Sequence, residues 1–269
     1  MAITALHAAA SGLTALSTQL DVIANNLANV NTDGFKASRV NFEDLIYQVR
    51  QEPGVENALG DQRFAGTLVG TGVRVSNTQL DFRQGEPRPT GRELDLTVQG
   101  KGFFRVQSLP DQGDGFAYTR AGNFAKNSDG VLVLGNGNGP RLEPEVQIPD
   151  NATGIEIDQT GRVFVFTNDN VDPQEIGQLV LHNFVNPAGL KQIGANLMIE
   201  TPASGPPVQG EPGEGQFGTV LQRFLESSNA KPVEQLVDLI KAQRAFEMNS
   251  QTIQAADQTL QVVSNLRRS

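Results

Sequence analysis

The sequence predicts an α+β protein in which long N- and C-terminal coiled-coil helices bracket an extended linker region and a mainly antiparallel all-β domain. Three observations carry this expectation. Apolar residues recur at helical spacing over 3–30, and an apolar heptad repeats four times near the other end. Between them, short alternating runs are separated by Gly, Asn and Asp turns.

In the first segment, Ile3, Leu6, Ala10, Leu13, Leu16, Leu20, Ile23, Leu27 and Val30 step by three or four residues, a narrow helical seam. Asn29, Asn31, Asp33 and Gly34 end the helix, Gly34 being free to turn left-handed. Asn25 and Asn26 fall inside the pattern, where Asn is a poor helix former. A helix end does not account for them. The last segment opens with Pro232 in a first turn, behind Ser227, Ser228 and Asn229 as capping side chains. Leu239, Phe246, Ile253 and Leu260 then repeat every seven residues, with Ala242, Asn249, Ala256 and Val263 three positions on. That is an a/d register, and an Asn within it fixes alignment at some cost in stability. The two helices either pair within one chain or offer faces that only neighbouring chains can cover. The second arrangement makes them a device for assembly.

The middle reads as strand. Glu93–Gln107 alternates through Leu94, Leu96 and Val98 before Gly100 and Gly102, and Ala117–Leu134 is strand, turn and strand around Asn127–Gly130. Ile155–Phe166 is a hairpin about Asp158–Gly161, and Gln178–Phe184 and Asn196–Glu200 add short strands. Two stretches, Tyr47–Gly70 and Pro202–Gly218, show no period and read as linkers. The expected organisation is an N-terminal assembly helix (1–31), an extended stretch and β linker (32–92), a β domain (93–201), a return linker (202–228) and a C-terminal assembly helix (229–269).

Composition narrows the chemistry. Of 269 residues 38% are hydrophobic and 6% aromatic, with no Trp, which points to a modest or subdivided core. The 20 Asn and 23 Gln suit hydrogen-bonded contacts between subunits better than a deep apolar pocket. A net charge of −9 without a long basic run argues against nucleic acid, whose phosphates need a Lys/Arg stripe. With no Cys and only His7 and His182, thiolate catalysis, disulfides and multi-histidine metal sites lose their parts. The first 31 residues have no Lys or Arg, so the basic end of a secretory signal is missing. Residues 2–20 are uncharged yet too polar for a membrane span, and the chain reads as soluble, with no direct membrane insertion.

Motifs for small-molecule chemistry are weak. The GxG in Val98–Phe104 leads into no GKS/GKT and no helix pattern. Asp111, Asp114 and Asp129 lack the spacing of a calcium loop. Glu43 with Asp44, or Glu143 with Glu145, are neighbouring acids without a cleft to mark them. The expectation is no enzyme, no cofactor, no metal and no catalytic residue.

Ser11-Gly12-Leu13 followed by Asp21–Lys36 (DVIANNLANVNTDGFK) resembles the N-terminal signature of bacterial flagellar rod and hook proteins. Glu234–Ile240, Gln243–Ser250 and Asp257–Leu260 resemble that family's C-terminal helix, and VQGKGFFRV (98–106) with Tyr118–Phe124 resembles its β domain. Phe42–Gln48, Arg50–Gly54 and Gly70–Val73 are most similar to the stretch after the first helix in the distal rod branch. The resemblance implies a structural subunit of the distal rod, exported by the flagellar secretion apparatus and polymerising into a rigid tube that carries torque to the hook. Its implied partners are copies of itself, other rod proteins, the hook protein and the surrounding basal-body rings. It implies packing roles for Leu13, Leu16, Leu20, Ile23, Asn25, Asn26, Leu27, Asn29, Leu239, Phe246, Asn249, Ile253 and Leu260. It assigns the turn and extended stretch to Gly34, Phe35, Tyr47, Arg50, Pro53 and Gly54. The alternatives are a proximal rod or hook subunit, or a monomeric secreted β-domain binder.

Overall fold

Both terminal patterns form helices: α1 spans Ala2–Ala28 and α2 spans Pro232–Leu266. The computed structural model describes residues 2–52, 54, 65–108, 115–167 and 170–266. Twelve strand pairings among them are antiparallel. Two compact units result. One holds Met1–Ala28, Ser38–Gln79 and Pro232–Ser269, the other Asn29–Ala37 and Leu80–Lys231. Among the described residues no helix is long and apolar enough to cross a membrane.

In the helical unit, α1 and α2 pair within the one chain and run antiparallel. Gly12 lies against the Asn249 amide, and Asn26 bonds to Gln235. From one pair to the other is fourteen residues along each helix, so the register is constant. The buried α1 positions are mostly small: Ala9, Gly12 and Ala15, then Ile23 and Asn26. A Cβ on Gly12 would stand 3.0 Å from Asn249 Nδ2, so glycine sets how closely the helices approach. Two strand pairs complete the unit. Ser38–Asp44 pairs with Val73–Leu80, and Tyr47–Gln51 with Thr67–Gly70. The second pair falls in a stretch expected to be a linker. Sequence pattern misses it because every residue of Tyr47–Gln51 is exposed, which leaves no buried face to create alternation. Ser11 explains its place in the motif: its Oγ donates to Ala8 O (2.9 Å) and accepts from Val73 N (3.2 Å).

The β unit is built on a sheet ordered Lys191–Gly194, Leu197–Ile199, Phe116–Thr119, Phe103–Gln107, Leu181–Asn183, Val208–Gly210, with Leu142–Glu143 on the side of Phe103–Gln107. A three-stranded sheet, Ala152–Ile157, Arg162–Thr167 and Asn170–Gln178, contains the expected hairpin. The core comprises Leu96, Val98, Phe104, Phe124, Leu132, Val163, Leu181 and Val220 among others. Two expectations differ here. Gln178–Phe184 is two elements, the end of one strand and then Leu181–Asn183. Pro202–Gly218 contains the edge strand Val208–Gly210, and Thr219–Gln222 pairs with Leu96–Gln99 just beyond it. Strands this short pair through their backbones and leave little side-chain pattern.

Candidate assembly surface and polar clamps

Asn26 is nearly fully buried and uses its whole amide. Its Oδ1 accepts from Ser38 N at 2.9 Å, and its Nδ2 donates to Ser38 O at 2.7 Å and to Gln235 Oε1 at 3.0 Å. One side chain thus ties α1 to the first strand and to α2, and the cost of Asn within a helix is offset by three partly buried bonds. The other assigned residues of α1 divide by depth. Ile23 is buried; Leu13, Leu16, Leu20 and Leu27 are half-buried, as is Asn29 beyond the helix; Asn25 is exposed. The leucine seam is therefore the shoulder of the contact, and the small residues are its centre.

On α2, Leu239, Asn249 and Ile253 are half-buried, while Phe246 and Leu260 are exposed at 36% and 37%. Ala242 is the fully buried member of the register. A second set of apolar residues was not foreseen. Val233, Val237, Ile240, Met248 and Val262 are all exposed, Val233 at 72%. At about 100° per residue they fall on the side of α2 opposite Ala242 and Asn249. Exposed Arg244, Gln251 and Gln258 share that side, so the bare apolar residues group in the first turns of α2, from Val233 to Ile240, with Met248 and Val262 isolated beyond them.

In the extended stretch, Tyr47 and Arg50 are exposed. Gly54 takes φ +82°, and Pro53 lies outside the described residues.

The β unit has its own clamp, where the chain enters at 29–37 and leaves before 231. Asp33–Gly34 forms a turn with Gly34 at φ +72°, and Gly34 N donates to Glu226 O at 2.7 Å. Half-buried Phe35 follows, its carbonyl accepting from Asn229 N. Glu226 is buried between two cations. Its Oε1 accepts from Lys36 Nζ (2.7 Å) and Gly85 N (2.9 Å), and its Oε2 from Arg120 Nε (2.8 Å). Burial alone would raise the Glu226 pKa, but Arg120 and Lys36 outweigh it and hold the carboxyl below its ordinary value. Burial lowers the Lys36 ammonium, against the pull of Glu226. Arg120 also donates to Gly100 O (2.9 Å), Gly102 O (2.5 Å) and Val98 O (3.1 Å). The GxG is therefore a turn whose carbonyls seat a guanidinium, with both glycines at positive φ.

Asn229 is not a helix cap. Its Oδ1 accepts from Ala37 N (2.7 Å), and its Nδ2 donates to Asp81 O (2.7 Å) and Arg83 O (3.0 Å), stapling three passes of chain. Lys36, Glu226, Arg120, Asn229 and Gln235 carry the polar contacts that sequence reading did not assign. Their only signal was position: Lys36 and Arg120 stand inside the motifs that carry the family resemblance.

A chain whose ends pair with each other, with polar side chains that bind backbone and a bare apolar helix face, defines a shape-holding subunit. Comparisons with known proteins say which kind. The profile described as flagella basal body rod protein matches residues 6–36. Flagellar hook protein FlgE/F/G D1 domain matches 97–165, and flagellar basal body rod FlgEFG protein C-terminal matches 221–266. The flagellar basal-body rod protein FlgG of Caulobacter vibrioides is 44% identical, covering 98% of this chain and 99% of that one. Its counterpart in Borreliella burgdorferi is 41% identical, covering 98% of each. The Escherichia coli flagellar hook protein FlgE is 26% identical over a 424-residue alignment. The chain belongs to the flagellar basal-body rod protein family.

Proposed function

We propose that this chain is a structural subunit of the flagellar rod, in its distal segment, and that copies polymerise through their terminal helices into a rigid tube carrying torque to the hook. The observation that carries the reading is the bare apolar group at the start of α2, opposite the face that this helix turns to α1. Val233, Val237 and Ile240, exposed together on one side of its first turns, give α2 an apolar patch for a partner to cover. In a polymer of identical chains the same patch is covered at every subunit. The seam between α1 and α2 then acts as an antiparallel coiled coil inside each subunit, its fourteen-residue register equal to two heptads. Leu13, Leu16, Leu20, Phe246 and Leu260 extend that packing at its margins.

Near-complete coverage of the FlgG relatives favours the distal rod over the hook, whose relative needs a much longer alignment. On this reading the chain does no catalysis. Its partners are its own copies, the neighbouring rod proteins, the hook and the rings around the rod. It is exported through the flagellar secretion apparatus, and ordering costs of roughly 1–2 kcal/mol per backbone residue are met on assembly.

Ile240→Asp tests the reading, since Ile240 is about half exposed and the substitution leaves the single subunit folded. The expected result is an unchanged far-UV circular dichroism spectrum, no polymer, and no motility from a strain carrying only this variant. Normal motility would remove the outward face from the assembly.

A further inference from the structure

Residues 134–140 read LGNGNGP, and no asparagine elsewhere in the chain precedes a glycine. Both Asn-Gly pairs lie in the loop that leaves the strand Leu132–Leu134 and closes where Leu134 N donates to Pro140 O at 2.9 Å. The fold treats the two asparagines differently. Asn136 is half-buried, and its Oδ1 accepts from Asn138 N at 3.2 Å and from Gly139 N at 3.0 Å. Its Nδ2 is buried without a partner. Asn138 is exposed.

The backbone amides that follow them differ in the same sense. Gly137 N makes no hydrogen bond among the described residues, and a Cβ there would meet nothing within 4 Å, so this peptide unit is unhindered. Gly139 N is committed twice, to Asn136 O at 3.2 Å and to Asn136 Oδ1. A nucleophile is therefore free beside Asn136 and held beside Asn138. The two N–H groups on Asn136 Oδ1 stand where oxyanion-hole donors stand, on the oxygen that gains charge when Cγ is attacked.

We infer that Asn136 is a self-modification site, at which Gly137 N closes on Asn136 Cγ and the side-chain amide is lost. Gly137 N gives its proton to hydroxide and forms the N–Cγ bond, while the electron pair of Cγ=Oδ1 moves onto Oδ1 beneath the N–H groups of Asn138 and Gly139. The pair then returns, the Cγ–Nδ2 bond breaks, and Nδ2 takes a proton from water and leaves as ammonia. Water adds to either carbonyl of the cyclic imide, and the ring opens to aspartate or isoaspartate. One amide and one water become one carboxylate and one ammonium, with no oxidant or reductant. Each event adds a negative charge to a chain of net charge −9, and the isoaspartate form also lengthens the backbone inside the loop.

Full-length protein aged in mildly alkaline buffer and mapped by mass spectrometry with electron-transfer fragmentation reads the outcome site by site. Conversion at Asn136, with isoaspartate among the products, is expected about tenfold faster than at Asn138. Asn127 serves as a control: its Oδ1 also accepts two backbone N–H groups, at 2.9 Å each, but Ser128 follows it, and it should lag as well. In urea, where the turn is lost, Asn136 and Asn138 should react at similar rates. Gly137→Ala sets a methyl group beside the nucleophile and should slow conversion at Asn136 with the far-UV circular dichroism spectrum unchanged. Equal rates in the folded protein, or faster conversion at Asn138, would overturn the assignment. So would an Asn136 that stays intact in the folded protein while both sites convert in urea.

Discussion

Asn26 holds Ser38 by both of its backbone groups, accepting from its N–H at 2.9 Å and donating to its C=O at 2.7 Å. The same amide donates to Gln235. A helix-disfavouring residue is therefore the point where three elements of the helical unit are fastened.

Asn26→Ala removes all three bonds and leaves the half-buried backbone groups of Ser38 without a protein partner, a cost of about 0.5–1.5 kcal/mol for each bond lost. Asn26→Asp keeps the acceptor for Ser38 N but turns a carboxylate toward two other oxygens, and is expected to be worse. Thermal unfolding followed at 222 nm checks the order wild type, Ala, Asp.

Glu226→Gln leaves Lys36 and Arg120 buried without a counter-charge. Breaking one partner of a buried ion network costs roughly 3–5 kcal/mol, and the denaturant midpoint of the β unit should fall accordingly. Lys126→Gln, whose partner Asp150 is 3.1 Å away and almost fully exposed, is expected to change it little.

His182 is buried beneath Tyr118, and its imidazole pKa falls to about 4, first through burial and then through the Arg105 charge. The unfolded chain takes up the proton near pH 6.5, so stability is full above that value and is lost as pH falls toward 4. The loss reaches about 3 kcal/mol at its limit. In His182→Phe, urea unfolding between pH 7 and 4.5 should lose that part of its pH dependence.

Gly34 and Gly91 separate two costs of adding a methyl group. Both have φ above +70°, but a Cβ on Gly34 would lie 2.6 Å from Ala121 N, whereas one on Gly91 meets nothing within 4 Å. Gly91→Ala should cost only the left-handed penalty of about 1–2 kcal/mol. Gly34→Ala must also displace backbone, and its melting temperature should fall distinctly further.

Much of this architecture was legible because it repeats locally. The heptad from Leu239 located α2, the spacing from Ile3 located α1, and Gly/Asn/Asp turns such as Asn127–Gly130 divided the strands. Features built from distant parts of the chain were not legible. Lys36, Arg120 and Glu226 meet only after folding, and no local pattern joins them. The outward patch of α2 was hidden for another reason: with apolar residues on two opposite faces of its first turns, neither face stands out there as the single buried one. Val237 and Ile240 flank the heptad and read as exceptions to it until the structure shows which side is bare. Asn229 was read as a cap because it stands just before Pro232, yet its amide bonds to Ala37, Asp81 and Arg83.

Electron microscopy of the purified full-length protein over a concentration series, with and without isolated basal bodies as templates, tests the central claim most directly. The account predicts straight tubes of constant diameter above a threshold concentration, growing from the template ends below it. Curved tubes would move the chain to the hook. Dispersed single subunits at every concentration, with templates left unextended, would contradict the claim that this chain builds the rod.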